Sequence, residues 1–299
     1  VKQKESEMKL VVGRDDLAAA ALGAAREQGA DAERQDVKPV HKASRGFVND
    51  QAVDVCELAV VTLLQAVAFR KPVVLLPVTT LGRTQHQTLV TLGNLSVKDV
   101  EGRSVGVRSW SQTTGVWMRG FLSEQYEVDL RKVDWTVYEE AHVDGYRDPS
   151  WVHRAPEGAR LQADFLDGRL DYGIMGNELP ADDRIRTAID NARDVAAKWT
   201  ADRGFLPLNH VMGVTAEAAS EHSAAVVAMY DAMRAVAAAD RAAGAVDPNP
   251  VGFEALRGPV TLAARYALEQ EVLPRAVEFD ELVEQSCVAL GVTPARLGG

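Results

Sequence analysis

Apolar and polar positions follow two rhythms along this 299-residue chain, and the switches between them mark its elements. Residues 8–13 (MKLVVG) are a short apolar run that predicts a first strand. The alanine-rich residues 15–28 behind it predict a helix, because alanine loses least on entering one. Residues 51–58 (QAVDVCEL) predict a second strand, running into a helix whose apolar face carries Val61, Leu64 and Ala68 and which Lys71-Pro72 breaks. Residues 73–78 (VVLLPV) are apolar throughout, the pattern of a parallel strand buried on both faces. Next comes an extended segment at 85–92. From residue 97 the pattern restarts, with a strand at 104–108, a helix at 113–126, a strand at 133–137, a helix near 158–166 and a strand at 172–176. Residues 209–214 (NHVMGV) are strand-like again, and the rest of the chain is helical, with 223–243 the longest helix and 260–271 another.

Strands that alternate with helices imply parallel sheets, and connections without Gly/Ser-rich linkers imply lobes that interleave. The expected fold class is α/β, with residues 8–90 and 213–299 forming one discontinuous lobe and residues 95–208 the other. The chain then crosses between lobes twice, near 85–94 and 209–214. Such a body places its ligand in the cleft where the carboxyl ends of strands and the adjoining helix starts converge, and hinge closure is its usual motion.

The segment 102–119 (GRSVGVRSWSQTTGVWMR) gives that cleft a chemistry. A strand empties into Ser109, Ser111, Gln112, Thr113 and Thr114, hydroxyl and amide groups at the start of a helix, with Arg119 further along. Unpaired N–H groups at a helix start carry partial positive charge, so the segment suits an anion such as a carboxylate. A helix cap with a solvated arginine is the plainer reading of the same residues.

The bulk properties narrow the partners. A net charge of -10 argues against nucleic acid or an anionic membrane, both of which need a basic face. Two cysteines, Cys56 and Cys287, give no disulfide framework, and no Cys/His set has zinc-ligand spacing, so no metal is expected. No run of eighteen apolar residues predicts membrane insertion, and residues 1–13 lack a signal-peptide core. A cytoplasmic location is therefore expected, or a periplasmic one if an upstream signal has been removed. A homodimer would suit a chain of this size, although no coiled coil announces an interface.

The order of motifs resembles the type 2 periplasmic-binding-protein fold and, within it, the group that includes 4,5-dihydroxyphthalate decarboxylase. The resemblance rests on DVCEL at 54–58, VVLLPV with GRTQH at 73–86, residues 101–130, residues 155–175, and RGFLPLNHVMGV at 203–214 with Phe205, Pro207 and His210. It implies a cofactor-independent decarboxylase of a hydroxylated aromatic dicarboxylate, in which a cleft histidine protonates the ring and a helix start and arginines hold the carboxylates. The same body serves as the substrate-binding protein of an ABC-type transporter, which would dock on a permease, and that is the alternative.

Histidine is the natural proton donor near neutral pH. His86 and His210 stand at the two expected crossings and are the catalytic candidates, while a structural role is the plainer reading of either alone. His142, after the strand at 133–137, is a candidate to touch ligand; His41, His153 and His222 are expected at the surface. Glu57 at a helix start, Asn177 in a loop after a strand, and Arg83 and Arg119 as carboxylate partners complete the candidate set with the hydroxyl cluster. Trp110 could stack on an aromatic ligand, whereas Trp117 suits the core. The pairs Glu139-Glu140 and Asp182-Asp183 are expected in solvated loops, and Cys56 as a small buried filler.

Overall fold

The computed structural model describes residues 7–239 and 246–299, which form a two-lobed α/β body built on two sheets. In chain order the strands are β1 (Met8–Val11), β2 (Ala32–Arg34), β3 (Val55–Ala59), β4 (Val73–Gly82), β5 (Leu89–Thr91), β6 (Ser104–Val107), β7 (Asp134–Val137), β8 (Val152–Arg154), β9 (Tyr172–Ile174), β10 (Arg186–Thr187) and β11 (Leu208–Thr215). The helices are α1 (Asp15–Glu27), α2 (Ser44–Asp50), α3 (Val60–Ala68), α4 (Thr113–Tyr126), α5 (Leu161–Leu166), α6 (Ala192–Arg203), α7 (Ala216–Glu221), α8 (Ser223–Ala239), α9 (Phe253–Glu269) and α10 (Phe279–Leu290).

The first sheet has the order β2-β1-β3-β11-β4 and the second β10-β5-β9-β6-β7-β8. The expected extended segment at 85–92 resolves into a 3-10 turn, His86–Thr88, and a strand of the second sheet. Likewise 209–214 is the body of β11, which inserts between β3 and β4 in the first sheet. The chain passes between the sheets on the short pieces at 83–88 and 204–207, and these touch: the Arg83 N–H donates to the Pro207 carbonyl at 3.0 Å.

One strand differs from its expected pairing. Residues 73–80 are buried as their apolar run requires, but β4 is an edge strand and its partner β11 runs antiparallel to it. The returning β11 occupies the place that a parallel neighbour would take. The edge position also accommodates Pro77, which has no N–H to give to a ladder; its carbonyl accepts from Gly252 at 2.8 Å.

Helices α2 and α6 and strand β8 carry too little apolar signal to be seen in the sequence. α6, for example, buries only Ala192, Ala196 and Trp199. The expected helix at 223–243 is present to Ala239, and its last residues lie outside the described ones. α9 begins earlier than expected and tolerates Pro259 within its length.

The back of the body is bolted by α4 and α9. The Trp110 indole donates to the Gln270 carbonyl at 2.8 Å, the Gln270 amide donates to the Val116 carbonyl at 2.9 Å, and Tyr266 donates to Glu124 at 3.0 Å. Trp117 donates to the Leu208 carbonyl of β11 at 2.9 Å. Helix α4 can lie this close to α9 because residue 120 is glycine, its bare Cα facing the Tyr266 ring.

Candidate functional site

A cavity of about 500 Å³ lies between the sheets, opposite the α4–α9 contact. Its walls are strand ends and the residues just after them. β3 runs straight into α3, bringing Ala59 and Thr62; β6 is followed by Arg108, Ser109, Ser111 and Gln112 and the start of α4; β7 by Glu139, Glu140 and His142; β9 by Asn177 and Glu178. Arg83, Asn209 and His210 come from the ends of β4 and β11, and Pro39 to His41 from the approach to α2.

The hydroxyl cluster is brought to this cavity. Ser109, Ser111, Gln112, Thr113 and Thr114 all line it, and α4 has no side-chain cap on its first turn. The N–H groups that a helix start leaves unpaired are thus available to an anion. The cluster is partly self-satisfied, with Ser109 and Ser111 hydroxyls 3.3 Å apart and Thr113 accepting from the Val61 N–H at 3.3 Å.

Two arginines supply full charge. Arg83 donates to Asn177 and, at 3.5 Å, to the Thr114 hydroxyl, while its Nε is buried without a protein partner among the described residues. Burial lowers the guanidinium's proton affinity and Glu178 nearby works the other way. Arg108, which sequence reasoning left as the last residue of a strand, pairs with Glu139 at 3.0 Å. Its signal was its place: a charged residue where a parallel strand ends and a cleft begins. The Gln112 side-chain amide donates to Glu178 at 3.0 Å, and its Oε1 has no partner among the described residues. Buried polar atoms left open around a cavity are what a bound polar ligand would satisfy.

His210 is the best-organised group in the site. Its Nδ1 lies 2.7 Å from Glu57 Oε1, and Glu57 Oε2 accepts from the Gly13 N–H at 2.7 Å. Burial pushes the Glu57 carboxyl up, but the His210 ring and the Gly13 N–H outweigh it, so the group is held below the usual carboxylate range and is ionised. An ionised carboxylate on Nδ1 keeps a proton there and fixes the ring, leaving Nε2 for the cavity. The ring reaches the cavity because β11 is irregular at this point: its register against β4 slips between Leu208 and Met212, and such a bulge re-aims side chains. His210 is 23% exposed, whereas Glu57 beneath it is 7% exposed.

His86, Arg119 and Glu57 do not line the cavity, which corrects three expectations; Glu57, spent on His210 and the Gly13 N–H, acts on the site only through His210. The turn after the crossing carries the His86 ring into an aromatic cluster, stacked on Phe121 at 4.1 Å and beside Trp199, with Nε2 3.2 Å from Gln125. At 1% exposure, burial lowers its pKa to about 4. Arg119 is fully buried on the far side of α4, 3.6 Å above the Trp110 ring, donating to Gln270 Oε1 at 2.8 Å and to the Trp110 carbonyl. Six residues past the start of α4, nearly two turns, the helix has rotated this side chain off the cleft face and toward the α9 side. Trp110, engaged with Arg119, is core as well.

His142 does line the cavity, and so does His41, which was expected at the surface. The two rings stack at 6.3 Å and 16°. His142 Nδ1 is 3.3 Å from the Thr62 hydroxyl. Burial, Arg108, His41 and Arg45 together lower its pKa to about 4. Glu139 and Glu140 are exposed as expected, yet they stand at the cavity rim. His153 is exposed, and Cys56 is a buried filler with its thiol pushed up by burial and by Glu57.

No protein-family model matches the chain. It is similar to a 4,5-dihydroxyphthalate decarboxylase of Comamonas testosteroni, 25% identical over 209 residues that make up 62% of this chain and 61% of that protein. The chain thus spans, in this match, less than two thirds of the length of its relative. Among solved structures, the periplasmic aliphatic sulphonate binding protein SsuA of Escherichia coli superposes with a TM-score of 0.55 at 11% identity, over 92% of this chain and 96% of that one. DSZB in complex with biphenyl-2-sulfinic acid superposes at 0.51 and 16% identity, over 95% and 99%. The fold is that of the two-lobed, type 2 periplasmic-binding-protein kind. Among the described residues, no helix is long and apolar enough to cross a membrane.

Proposed function

We propose that this protein is a decarboxylase of a hydroxylated aromatic dicarboxylate, with 4,5-dihydroxyphthalate, the compound for which the similar Comamonas testosteroni protein is named, as its model substrate. The observation that carries the reading is that His210, on the cavity wall, is held from beneath by the buried Glu57 carboxylate. A solute receptor needs charge and shape for its ligand; a buried carboxylate that orients an imidazole is the equipment of proton transfer.

The reaction asks for little else. In its imidazolium form His210 gives the Nε2 proton to the ring carbon that bears the departing carboxylate, while the hydroxyl para to that carbon releases its proton to solvent and pushes its electrons in to form a dienone. The C–C bond then breaks, carbon dioxide leaves, the bond's electron pair returns to the ring and restores aromaticity, and the phenolate so formed takes a proton from solvent. The ring keeps the proton and solvent recharges His210. Arg83, Arg108 and the first turn of α4 hold the carboxylates, and fixed dipoles and charges of this kind provide most of the rate in such sites.

The test is to incubate the purified chain with 4,5-dihydroxyphthalate and to read carbon dioxide release and thermal shift together. Release is expected from the wild type; His210→Asn should keep the thermal shift and lose release, and Glu57→Gln should slow release by roughly 10-fold to 100-fold, the cost of one charge-assisted hydrogen bond. A wild-type thermal shift without release would overturn the decarboxylase and favour the transporter-type receptor. Full turnover in His210→Asn would remove His210 as the donor.

A further inference from the structure

The loop after β7 is held over the cavity by residues of α2 that take no part in the site themselves. Arg45 donates to the Ala141 carbonyl at 2.8 Å and pairs with Asp144 at 2.5 Å and Glu140 at 3.5 Å. Asn49 donates to the His142 carbonyl at 2.9 Å and accepts from the Asp144 N–H at 3.1 Å. The peptide carbonyls on both sides of the His142 Cα and the N–H of Asp144 are therefore tied to α2. The ring is fixed on its other sides by the Thr62 hydroxyl at Nδ1 and by the His41 ring stacked on it.

The two fixed histidines have opposite surroundings. His210 sits on a carboxylate, whereas His142 faces the cations Arg108 and Arg45 and a second imidazole, with Glu139, Glu140 and Asp144 of its own loop turned to those arginines. Groups whose environments are pushed apart in this way divide donor and acceptor roles. A ring kept uncharged near neutral pH retains a lone pair. In the tautomer that donates from Nδ1 to the Thr62 hydroxyl, that lone pair is on Nε2 and open to the cavity.

We propose that His142 is the hydrogen-bond acceptor for a ring hydroxyl of the ligand, and that Arg45 and Asn49 are the residues that position it. This rests on the reading of the cavity as a site for a hydroxylated aromatic carboxylate. It makes His142 the residue that separates a hydroxylated acid from the same acid without hydroxyls. A site built to bond a hydroxyl discriminates strongly against an analogue that lacks it, because its own polar group is then left unpaired.

The experiment is a calorimetric titration of the full chain with 4,5-dihydroxyphthalate and, separately, with phthalate, every chain carrying His210→Asn so that the hydroxylated acid is not consumed during the titration. The parent chain, with His142 in place, is expected to prefer the hydroxylated acid. His142→Phe should weaken its binding by roughly 10-fold or more and leave phthalate within about 3-fold, erasing the preference. His142→Gln, whose carbonyl can also accept, should restore part of it. Arg45→Met and Asn49→Leu should lower the preference with His142 intact, which loss of stability alone would not do. The inference is overturned if the parent chain shows no preference, or if His142→Phe weakens both ligands equally or neither. Turnover is not part of the readout, so its failure and that of the decarboxylase reading are separable. A non-turning-over protein that loses its preference in His142→Phe retains this inference, and an active one that keeps its preference in the variant refutes it.

Discussion

Replacing His86 with phenylalanine separates a structural histidine from a catalytic one. The ring is 1% exposed, lies flat on Phe121 and, among the described residues, hydrogen-bonds Gln125 alone, and burial brings its pKa from the ordinary 6.5 to about 4. The folded protein thus refuses a proton that the unfolded chain accepts. Above pH 6.5 neither state is protonated and the full stability is present; as pH falls, the unfolded state binds the proton first and stability declines until about pH 4, where the folded state binds it too. At about 1.4 kcal/mol for each pH unit, the interval corresponds to about 3 kcal/mol. Phenylalanine keeps the stack and cannot titrate, and the partly exposed Gln125 can bond water instead. His86→Phe is therefore expected to match the wild type within about 1 kcal/mol at pH 7 and to lose about 3 kcal/mol less on going to pH 4. Urea denaturation at half-unit pH steps reads both curves, and taking their difference cancels other titrating groups, His142 among them. Parallel curves would refute the burial reasoning. Loss of carbon dioxide release in a variant that is stable at pH 7 would refute the exclusion of His86 from the chemistry.

Further changes probe the other corrected and missed residues. Arg119→Met should destabilise by about 2 to 4 kcal/mol, since Gln270 Oε1 and the Trp110 carbonyl lose their donor and relief of the buried charge offsets only part. Ligand affinity by calorimetry should not change; stability unchanged with affinity lost would restore the sequence expectation. Gly120→Ala places a methyl against the Tyr266 ring and should lower guanidinium-measured stability by about 2 kcal/mol, overpacking outweighing the gain in helix propensity. An equal or higher midpoint would show that α4 and α9 can move apart. Arg108→Met should weaken binding of an aromatic dicarboxylate by roughly 10-fold or more while leaving stability within about 0.5 kcal/mol, because its Glu139 partner is exposed. Undiminished affinity would place the carboxylates elsewhere.

Much of the site was legible in local order. The hydroxyl cluster stands next to a helix start in the chain and in space, so its position came from periodicity alone, as did those of Arg83 and Asn177 beside strand ends. His86 and His210 looked alike in sequence, each polar and each at an expected crossing. What distinguished them was a 3-10 turn that stows one ring among Phe121 and Trp199 and a bulge that presents the other. Arg119 misled for a similar reason. Its distance from the cluster was correct in residues, but a helix turns, and the position it occupies belongs to the α9 side.

By itself, the sequence determined the rhythm of strands and helices, the two-lobed α/β plan and the hydroxyl-rich start of α4, because these depend on residues within a few positions of one another. Only the tertiary structure decided that β4 is an edge strand, that Glu57 meets His210 across 153 positions at 2.7 Å, that Arg108 and His41 belong to the cavity, and that Arg45 and Asn49 hold the His142 loop. Each of these is a pairing between distant segments. Its free energy comes from burial and hydrogen bonding that arise only when the sheets assemble, and no periodicity along the chain encodes it.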